Sequence, residues 1–377
     1  MDQLDEARIA QRKFRVCQAT QALLPGPLRV LFFDCTTWYF ESFKEDTLKQ
    51  NGYSKDCKFN QPQVLLALMV TQEGLPVGYE VFPGATFEGH SLIPLIASMR
   101  DQYDLKQVVC VADRGMLNEV NLATIEAAGA YYIVGAKLKQ LPKAQQTKVL
   151  DKSAYTDLGQ GQKTARELIH GQRRLMVSHC PKRAAKDQHD RQKAVERLIK
   201  KLGQSQHPKD WLNHYGYKKF LVVEGKTQLR IDQKKIAQAS QWDGLHGVIT
   251  NLPDMPQAEV LTHYRGLWQV EESFRITKHD VKVRPIDHWT PSRIRAHIAI
   301  AFMAFTCVRH LLYRVKLPYQ ALSPVVIRNA LLQVQHSILE HQSTHKRYVI
   351  PSQISPEAKK IYDLMGLSAS TVPYALD

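Results

Sequence analysis

The sequence predicts an α/β protein. Three observations carry that prediction. Val108–Ala112 (VVCVA) is a continuous apolar run, the pattern of a strand buried on both faces. It is followed by a loop, a helix over Asn118–Ala128 and a strand from Tyr131 (YYIVG), the order of a parallel crossover. Two earlier apolar runs, Leu28–Asp34 (LRVLFFD) and Gln63–Thr71 (QVLLALMVT), read as further strands.

Taken in order, residues 5–24 read as a helix with Ile9, Val16 and Leu23 as inward positions, ended by Pro25, Gly26 and Pro27. Asp34 ends the first strand, and the segment CTTWYFESF after it either continues that strand or turns outward. Glu73-Gly74 marks a turn, with VGYEVF returning as a hairpin partner. Ser91 is a candidate cap for the next helix. Asp113 ends the VVCVA strand and is followed by Arg114 and Gly115. In open α/β sheets, functional residues lie beyond the carboxyl ends of the strands, the position expected for Asp34 and Asp113. Asp is also common there as a turn or cap residue.

From Lys137 to Lys235 the character changes. The block holds 24 Lys and Arg against 9 Asp and Glu, a net of +15, as large as the formal charge of the whole 377-residue chain. Hairpins are expected at His170-Gly171 and at Glu224-Gly225-Lys226, with a charged helix over about Asp187–Leu202 between them. So concentrated a charge favours a phosphate-tracking surface, although most individual cations need be no more than solvated. His179, Cys180 and His189 lack a fourth partner at zinc-site spacing. HGVITN then returns as a strand, Ala258–Lys278 forms a central helix, and a long apolar helix capped by Thr290 or Ser292 packs inside from Ile298 onward. A further helix is expected over about Pro324–His341, and the last 30 or so residues carry weak pattern.

The net charge of +15 points to a polyanionic partner, most simply nucleic acid. The N-terminus is too charged for a signal peptide, and the most apolar run, Ile298–Val308, falls short of the ~20 residues that span a bilayer. No membrane partner is expected. The six cysteines form no CxxC pair and read as reduced thiols of a cytoplasmic protein.

The central helix carries an unusual face. Tyr264, Leu267, Glu271 and Lys278 share it by their spacing, with Trp268 and Arg275 close by. Tyr264-x2-Leu267-x3-Glu271-x6-Lys278 resembles the Y-x2-R-x3-E-x6-K motif of bacterial insertion-sequence transposases of the insertion-sequence-four superfamily. FFDCTTWYFES, ADRGMLNEVNLATIEAAGAYYIVGAKLK and GLWQVEESFRITKHDVKVRPIDHWTPSRIRAHI resemble the same families, so the likeness runs from about residue 5 to about residue 315.

The resemblance implies a ribonuclease H-like mixed sheet flanked by helices, with a β-strand-rich basic insertion between the second Asp and the Glu. Residues 1–136 and 246–345 would form the catalytic core, 137–245 the insertion and 346–377 a C-terminal tail. It implies cut-and-paste DNA transposition by Asp34, Asp113 and Glu271 as catalytic residues and ligands of two Mg2+ ions, with Mn2+ an alternative. Asp34 would bridge both ions, Asp113 hold one and Glu271 the other. Magnesium prefers such carboxylate oxygens, and two hard cations roughly 4 Å apart can activate an attacking oxygen and stabilise a leaving one. Arg114, Tyr264, Arg265, Arg275 and Lys278 would contact phosphates. Trp242 and Trp268 would stack on unpaired or flipped bases, with core packing as the alternative for each.

The partners implied are double-stranded DNA, both the element's terminal inverted repeats and the target, and a second copy of the chain when assembled on DNA. The location implied is the cytoplasm, at the nucleoid. Two departures stand out. Leu267 occupies the position of the family's arginine, and only 33 residues precede Asp34, where such transposases usually carry a separate N-terminal DNA-binding domain. A shortened chain of this kind could instead be a catalytically idle DNA-binding remnant, a regulator of a full-length transposase, or a nuclease on the same fold.

Overall fold

A computed structural model of the chain describes residues 1–41, 44–54, 57–58, 60–103, 108–115, 118–158, 164–204, 219–224 and 228–376. The chain begins with α1 (Glu6–Leu23), β1 (Val30–Tyr39), β2 (Gln63–Thr71), β3 (Pro76–Pro83), α2 (Leu92–Tyr103), β4 (Val109–Ala112), α3 (Glu119–Ala127) and β5 (Tyr131–Gly135). It continues with α4 (Lys143–Leu150), β6 (Thr156–Asp157), β7 (Thr164–His170), β8 (Arg173–His179), α5 (Pro181–Gln204), β9 (Leu221–Glu224), β10 (Gln228–Ile231), α6 (Gln233–Ser240) and β11 (Leu245–Thr250). Next come α7 (Gln257–Arg265), α8 (Trp268–Arg275), a π-helical turn (Ile276–Asp280) and α9 (Pro291–Lys316). The chain closes with α10 (Pro324–Leu332), β12 (His336–Glu340), β13 (Arg347–Pro351), α11 (Pro356–Leu364) and β14 (Tyr374–Leu376). Two compact units result, one of Met1–Ala130 with Gly266–Asp377, the other of Tyr131–Arg265.

In the first unit, strands run β3-β2-β1-β4. β2 is buried at all nine positions, which is why its sequence is a continuous apolar run without alternation. β1 pairs antiparallel with β2 along its length, from Leu31 opposite Thr71 to Tyr39 opposite Gln63. It pairs parallel with β4 over a shorter stretch, from Val30 opposite Val109 to Phe33 opposite Ala112. This mixed α/β arrangement is consistent with a ribonuclease H-like core. β1 runs on past Asp34 through Cys-Thr-Thr-Trp-Tyr, the strand-continuing alternative for that segment, because Cys35, Thr36, Thr37 and Trp38 are buried along β2.

The helices of this unit cover the sheet. α1 is capped by Asp5, whose carboxylate accepts from the Arg8 N–H at 2.8 Å. The residues it buries are Lys13, Cys17 and Thr20, rather than the expected Ile9, Val16 and Leu23, which are half-buried. The polar pair is satisfied. Lys13 is ion-paired with Glu80 and lies over the Tyr79 ring, while the Thr20 hydroxyl donates to the Pro76 carbonyl at 2.6 Å and meets His310 Nε2 at 2.9 Å. Ser91 does not cap α2 in the expected way; its hydroxyl donates to the Glu88 carbonyl at 2.6 Å and contacts Cys35 Sγ.

α9 is long and apolar enough, by length and composition, to cross a membrane, contrary to the expectation from the Ile298–Val308 run alone. It packs on α1, β3, α10 and α11, burying Ile294, Ile298, Phe302 and Phe305, but Ile300 and Cys307 are exposed, so it is not buried all round. Thr290 occupies its N-cap position without a side-chain hydrogen bond. Arg309 ties α9 to the β2–β3 turn, donating to the carbonyls of Gly74 at 2.6 Å and Glu73 at 2.7 Å. Gly74 has φ +74°, and a Cβ there would meet the Arg309 guanidinium at 1.7 Å.

The helix expected over Pro324–His341 stops at Leu332. His336–Glu340 is instead a strand, part of a three-stranded sheet β12-β13-β14 within the stretch of weak pattern. Burial explains the miss: every residue of β12 and β14 is exposed, so neither carries an apolar alternation.

In the second unit, β5, β11, β8, β7 and β6 form an antiparallel sheet in that order, and β9 pairs with β10. The β7–β8 hairpin turns through Gly171-Gln172, one residue beyond the expected His170-Gly171, with Gly171 at φ +64°. The turn expected at Glu224-Gly225-Lys226 falls on residues outside those described. α5 is longer than the sequence suggested, beginning at Pro181. Its Arg191 pairs with Asp243 at 2.5 Å and its Asp187 accepts from the Gly244 N–H at 3.0 Å, fixing it to the turn before β11. Leu198, Phe220 and Leu221 form a small core there.

Candidate active site

Asp34 and Asp113 follow Phe33 and Ala112, the last pair in the parallel register of β1 and β4. Residues opposite one another in a parallel pair project to the same face, with strands ~4.8 Å apart. Each aspartate thus follows the last registered pair by one residue, where β4 stops and β1 continues. Asp34 is half-buried and accepts from the Cys35 N–H at 2.7 Å. Asp113 is exposed, as are Arg114 and Gly115 after it. Cys35 points to the opposite face, where its sulfur lies 3.0 Å from Ser91 Oγ.

Glu271 lies in the first turn of α8, which packs on β1 and β2 in the same unit. α8 buries Val270, Ser273 and Phe274, with Leu267 buried just before it. Glu271 is four residues after Leu267 and three before Phe274, so it sits at the margin of the buried stripe and is exposed. The apolar Leu267 thus fills a packing position.

The single helix expected over Ala258–Lys278 is divided. α7 ends at Arg265, Gly266 and Leu267 form a turn, and α8 gives way after Arg275 to the π-helical turn. Glycine is among the weakest helix formers, and the wider π-turn, closed by the Val281 N–H on the Ile276 carbonyl at 2.9 Å, shifts the helical phase of the residues beyond it. Tyr264, Leu267, Glu271 and Lys278 therefore do not lie on one continuous α-helical face. Tyr264, on α7 in the other unit, is half-buried with its ring 4.9 Å from that of His246, and Arg265 after it is exposed. Lys278 is half-buried within the π-turn.

Trp268 is 56% exposed, which excludes the core-packing alternative for it. Trp242 is half-buried beneath Lys139 Nζ, 6.0 Å from its ring. Arg275 is engaged locally, donating to the Glu272 carboxylate at 2.6 and 2.7 Å and lying 3.6 Å from Asp280. That hydrogen bond, opposed by partial burial, holds the Glu272 carboxyl below its ordinary 4.5 and raises the Arg275 guanidinium above its ordinary range. Trp289, 74% exposed, was not singled out in the sequence; an aromatic in a mixed polar stretch gives no signal until its exposure is known.

The chain's residues 25–307 match the family model described as the transposase DDE domain. The chain belongs to that family. A comparison with curated proteins finds no match. Among solved structures, the chain is similar to the piggyBac transposase in a synaptic complex with hairpin DNA, at 7% identity and a TM-score of 0.42, covering 82% of this chain and 52% of that one. It is also similar to the Mos1 transposase in a paired-end complex with the left transposon end, at 17% identity and a TM-score of 0.21, covering 34% and 42%. The chain spans about half the length of the piggyBac structure. Likeness at these levels adds nothing to the fold described above.

Membership of this DDE family implies divalent metal ions. The donor chemistry of Asp34, Asp113 and Glu271 suits a hard cation. Among the described residues, however, no group of three His, Cys, Asp or Glu side chains is gathered closely enough to hold a metal. Glu271 is carried on a helix that packs on β1, the strand of Asp34.

Proposed function

We propose that this DDE-family chain is a cut-and-paste DNA transposase of the insertion-sequence-four type. It hydrolyses phosphodiester bonds at the ends of a mobile element and joins the freed 3′-hydroxyls to target DNA. The observation that carries the reading is that Asp34 and Asp113 each follow the last pair of the parallel β1–β4 register, in a unit that also holds Glu271 on a helix packed on β1. These three carboxylates would hold Mg2+ or Mn2+, two ions in the full site, and the ions would supply activation of the attacking oxygen and charge stabilisation on the leaving one. Asp34 would be the shared ligand.

Arg114, Tyr264, Arg265, Arg275 and Lys278 would neutralise phosphates, and Trp242 and Trp268 would stack on bases exposed by strand separation. The cationic helix α5 supports a phosphate-tracking role for its block. A second copy of the chain would complete the assembly on paired element ends. The test is cleavage of supercoiled DNA by the purified chain with Mg2+ or Mn2+, beside Glu271→Ala. Metal-dependent cleavage lost in the variant supports the reading, and joining assays follow. Binding without cleavage by either protein refutes it. That result would favour the second reading, a DNA-occupying remnant or regulator, to which the ungathered carboxylates lend support.

A further inference from the structure

The three-stranded sheet β12-β13-β14 is open along one edge. β13 is paired on both sides, but β12 has only β13 as a neighbour among the described strands, and every residue of β12 is exposed. The ladder decides which backbone groups that edge presents. At one end the His341 N–H donates to the Lys346 carbonyl at 2.9 Å, and at the other the Ser352 N–H donates to the Gln335 carbonyl at 2.9 Å. Antiparallel pairs alternate between bonded and non-bonded, so Ser337 and Leu339 also bond inward to β13. The N–H and C=O groups of His336, Ile338 and Glu340 therefore point outward. Pro351, opposite His336, fits that order, because it has no N–H to give.

Such an edge is a template for another strand, and proteins usually blunt it with lysine, proline, a bulge or a covering loop. β12, His-Ser-Ile-Leu-Glu, carries none of these. It is also apolar on both faces: Ile338 is 61% exposed on one and Leu339 52% exposed on the other.

A second β12, antiparallel and centred on Ile338, answers all of these features. It sets outward-bonding residues against outward-bonding residues, Ile338 against its own copy, and His336 against Glu340 at both ends. Sliding the pair to centre on Glu340 would instead oppose two carboxylates, which is unfavourable. Glu340 already accepts from His345 Nδ1 at 2.8 Å and Arg347 Nε at 3.3 Å, and these bonds hold its carboxyl below the ordinary range. A carboxylate has about four acceptor sites, so it can take a further donor from His336 of a second copy.

We propose that β12 is a self-association surface: two copies of this chain pair β12 antiparallel about Ile338, joining two three-stranded sheets into one. The contact is isologous and consumes the open edge, so it closes at a dimer. It needs no DNA and does not rest on the reading of the carboxylates.

The test is sedimentation velocity of the full chain without DNA across micromolar concentrations. Wild type should be dimeric at the upper end. His336→Glu, which opposes like charges twice per dimer, and Ile338→Lys should each weaken dimerisation by about 10-fold or more. His336→Lys should keep the dimer, as should Val120→Lys, an apolar-to-lysine control at a 72% exposed site on α3. A dimer indifferent to both disrupting variants overturns the proposal, as does growth beyond a dimer. A monomeric wild type overturns it too and leaves the edge to a strand from another protein. Hydrogen exchange on wild type decides without any variant. The amides of His336, Ile338 and Glu340 should gain protection in the dimer, whereas those of Ser337 and Leu339, already bonded to β13, should change little. Fast exchange of the first three in a dimeric sample overturns the pairing.

Discussion

Two regions contribute the candidate carboxylates, and they hold them differently. Asp34 stands on β1 and Asp113 just past the end of β4, strands that are paired in parallel and buried on both faces. Glu271 stands on a two-turn helix with a turn before it and a π-turn after it, at the margin of its buried face. The aspartates are thus held by the sheet and the glutamate by a short helix packed on it. Among the described residues no three such carboxylates are gathered.

The comparison is broken most directly by activity. Asp34→Ala, Asp113→Ala and Glu271→Ala should each lower metal-dependent cleavage by about 10³-fold, the loss of several kcal/mol of charge stabilisation. A Glu271→Ala protein that cleaves normally would show that the helix carboxylate is no part of the site. Next in size is packing. Phe33→Ala, at a fully buried position of β1, should destabilise the fold by about 3–5 kcal/mol in urea unfolding, and Phe274→Ala on α8 by less, because Phe274 retains 7% exposure. Equal losses would mean that α8 is as firmly held as the sheet.

Metal binding sharpens the contrast further. The rise in melting temperature produced by Mn2+ should disappear in Asp34→Asn, whereas Glu271→Gln should keep it with affinity weakened about 10-fold, since both aspartates remain. The reverse order would make the helix, not the strands, the seat of the site.

The smallest effect is on acid stability. The Glu272 carboxyl titrates below its ordinary 4.5 because it accepts from Arg275. Its contribution is therefore complete above pH 4.5 and is lost as pH falls through the lowered folded value. Glu272→Gln should cost within about 1 kcal/mol at pH 7, as for a largely exposed pair, and the difference from wild type should shrink as pH falls below 4.5. A constant gap across that range would dissociate the pair from α8 stability.

Much of the sheet was legible because β2 and β4 are buried throughout and their sequences say so in unbroken apolar runs. The second half of β1 was left open between strand and outward turn, because Thr36 and Thr37 are polar residues whose burial the sequence does not show. Lys13 and Thr20 misled in the same way on α1, since their partners Glu80 and the Pro76 carbonyl lie on β3. The two aspartates were picked out as strand ends. Only Asp113 follows one, and the register, invisible in the sequence, is what sets each of them one residue past its last pair. The break at Gly266 and the π-turn had no clear signal in a stretch with good helical spacing.

The π-turn at Ile276–Asp280 has a consequence for how this stretch tolerates changes of length. A π-turn accommodates one residue more than the α-helix it interrupts. Deleting a single residue there would let α8 run on in ordinary helical phase, and Lys278 and His279 would each be re-aimed by about 100°. The segment behaves as a vernier: its residue count, more than its residue types, sets where those side chains point. Single-residue gaps placed there when relatives are aligned would pair side chains that point in different directions.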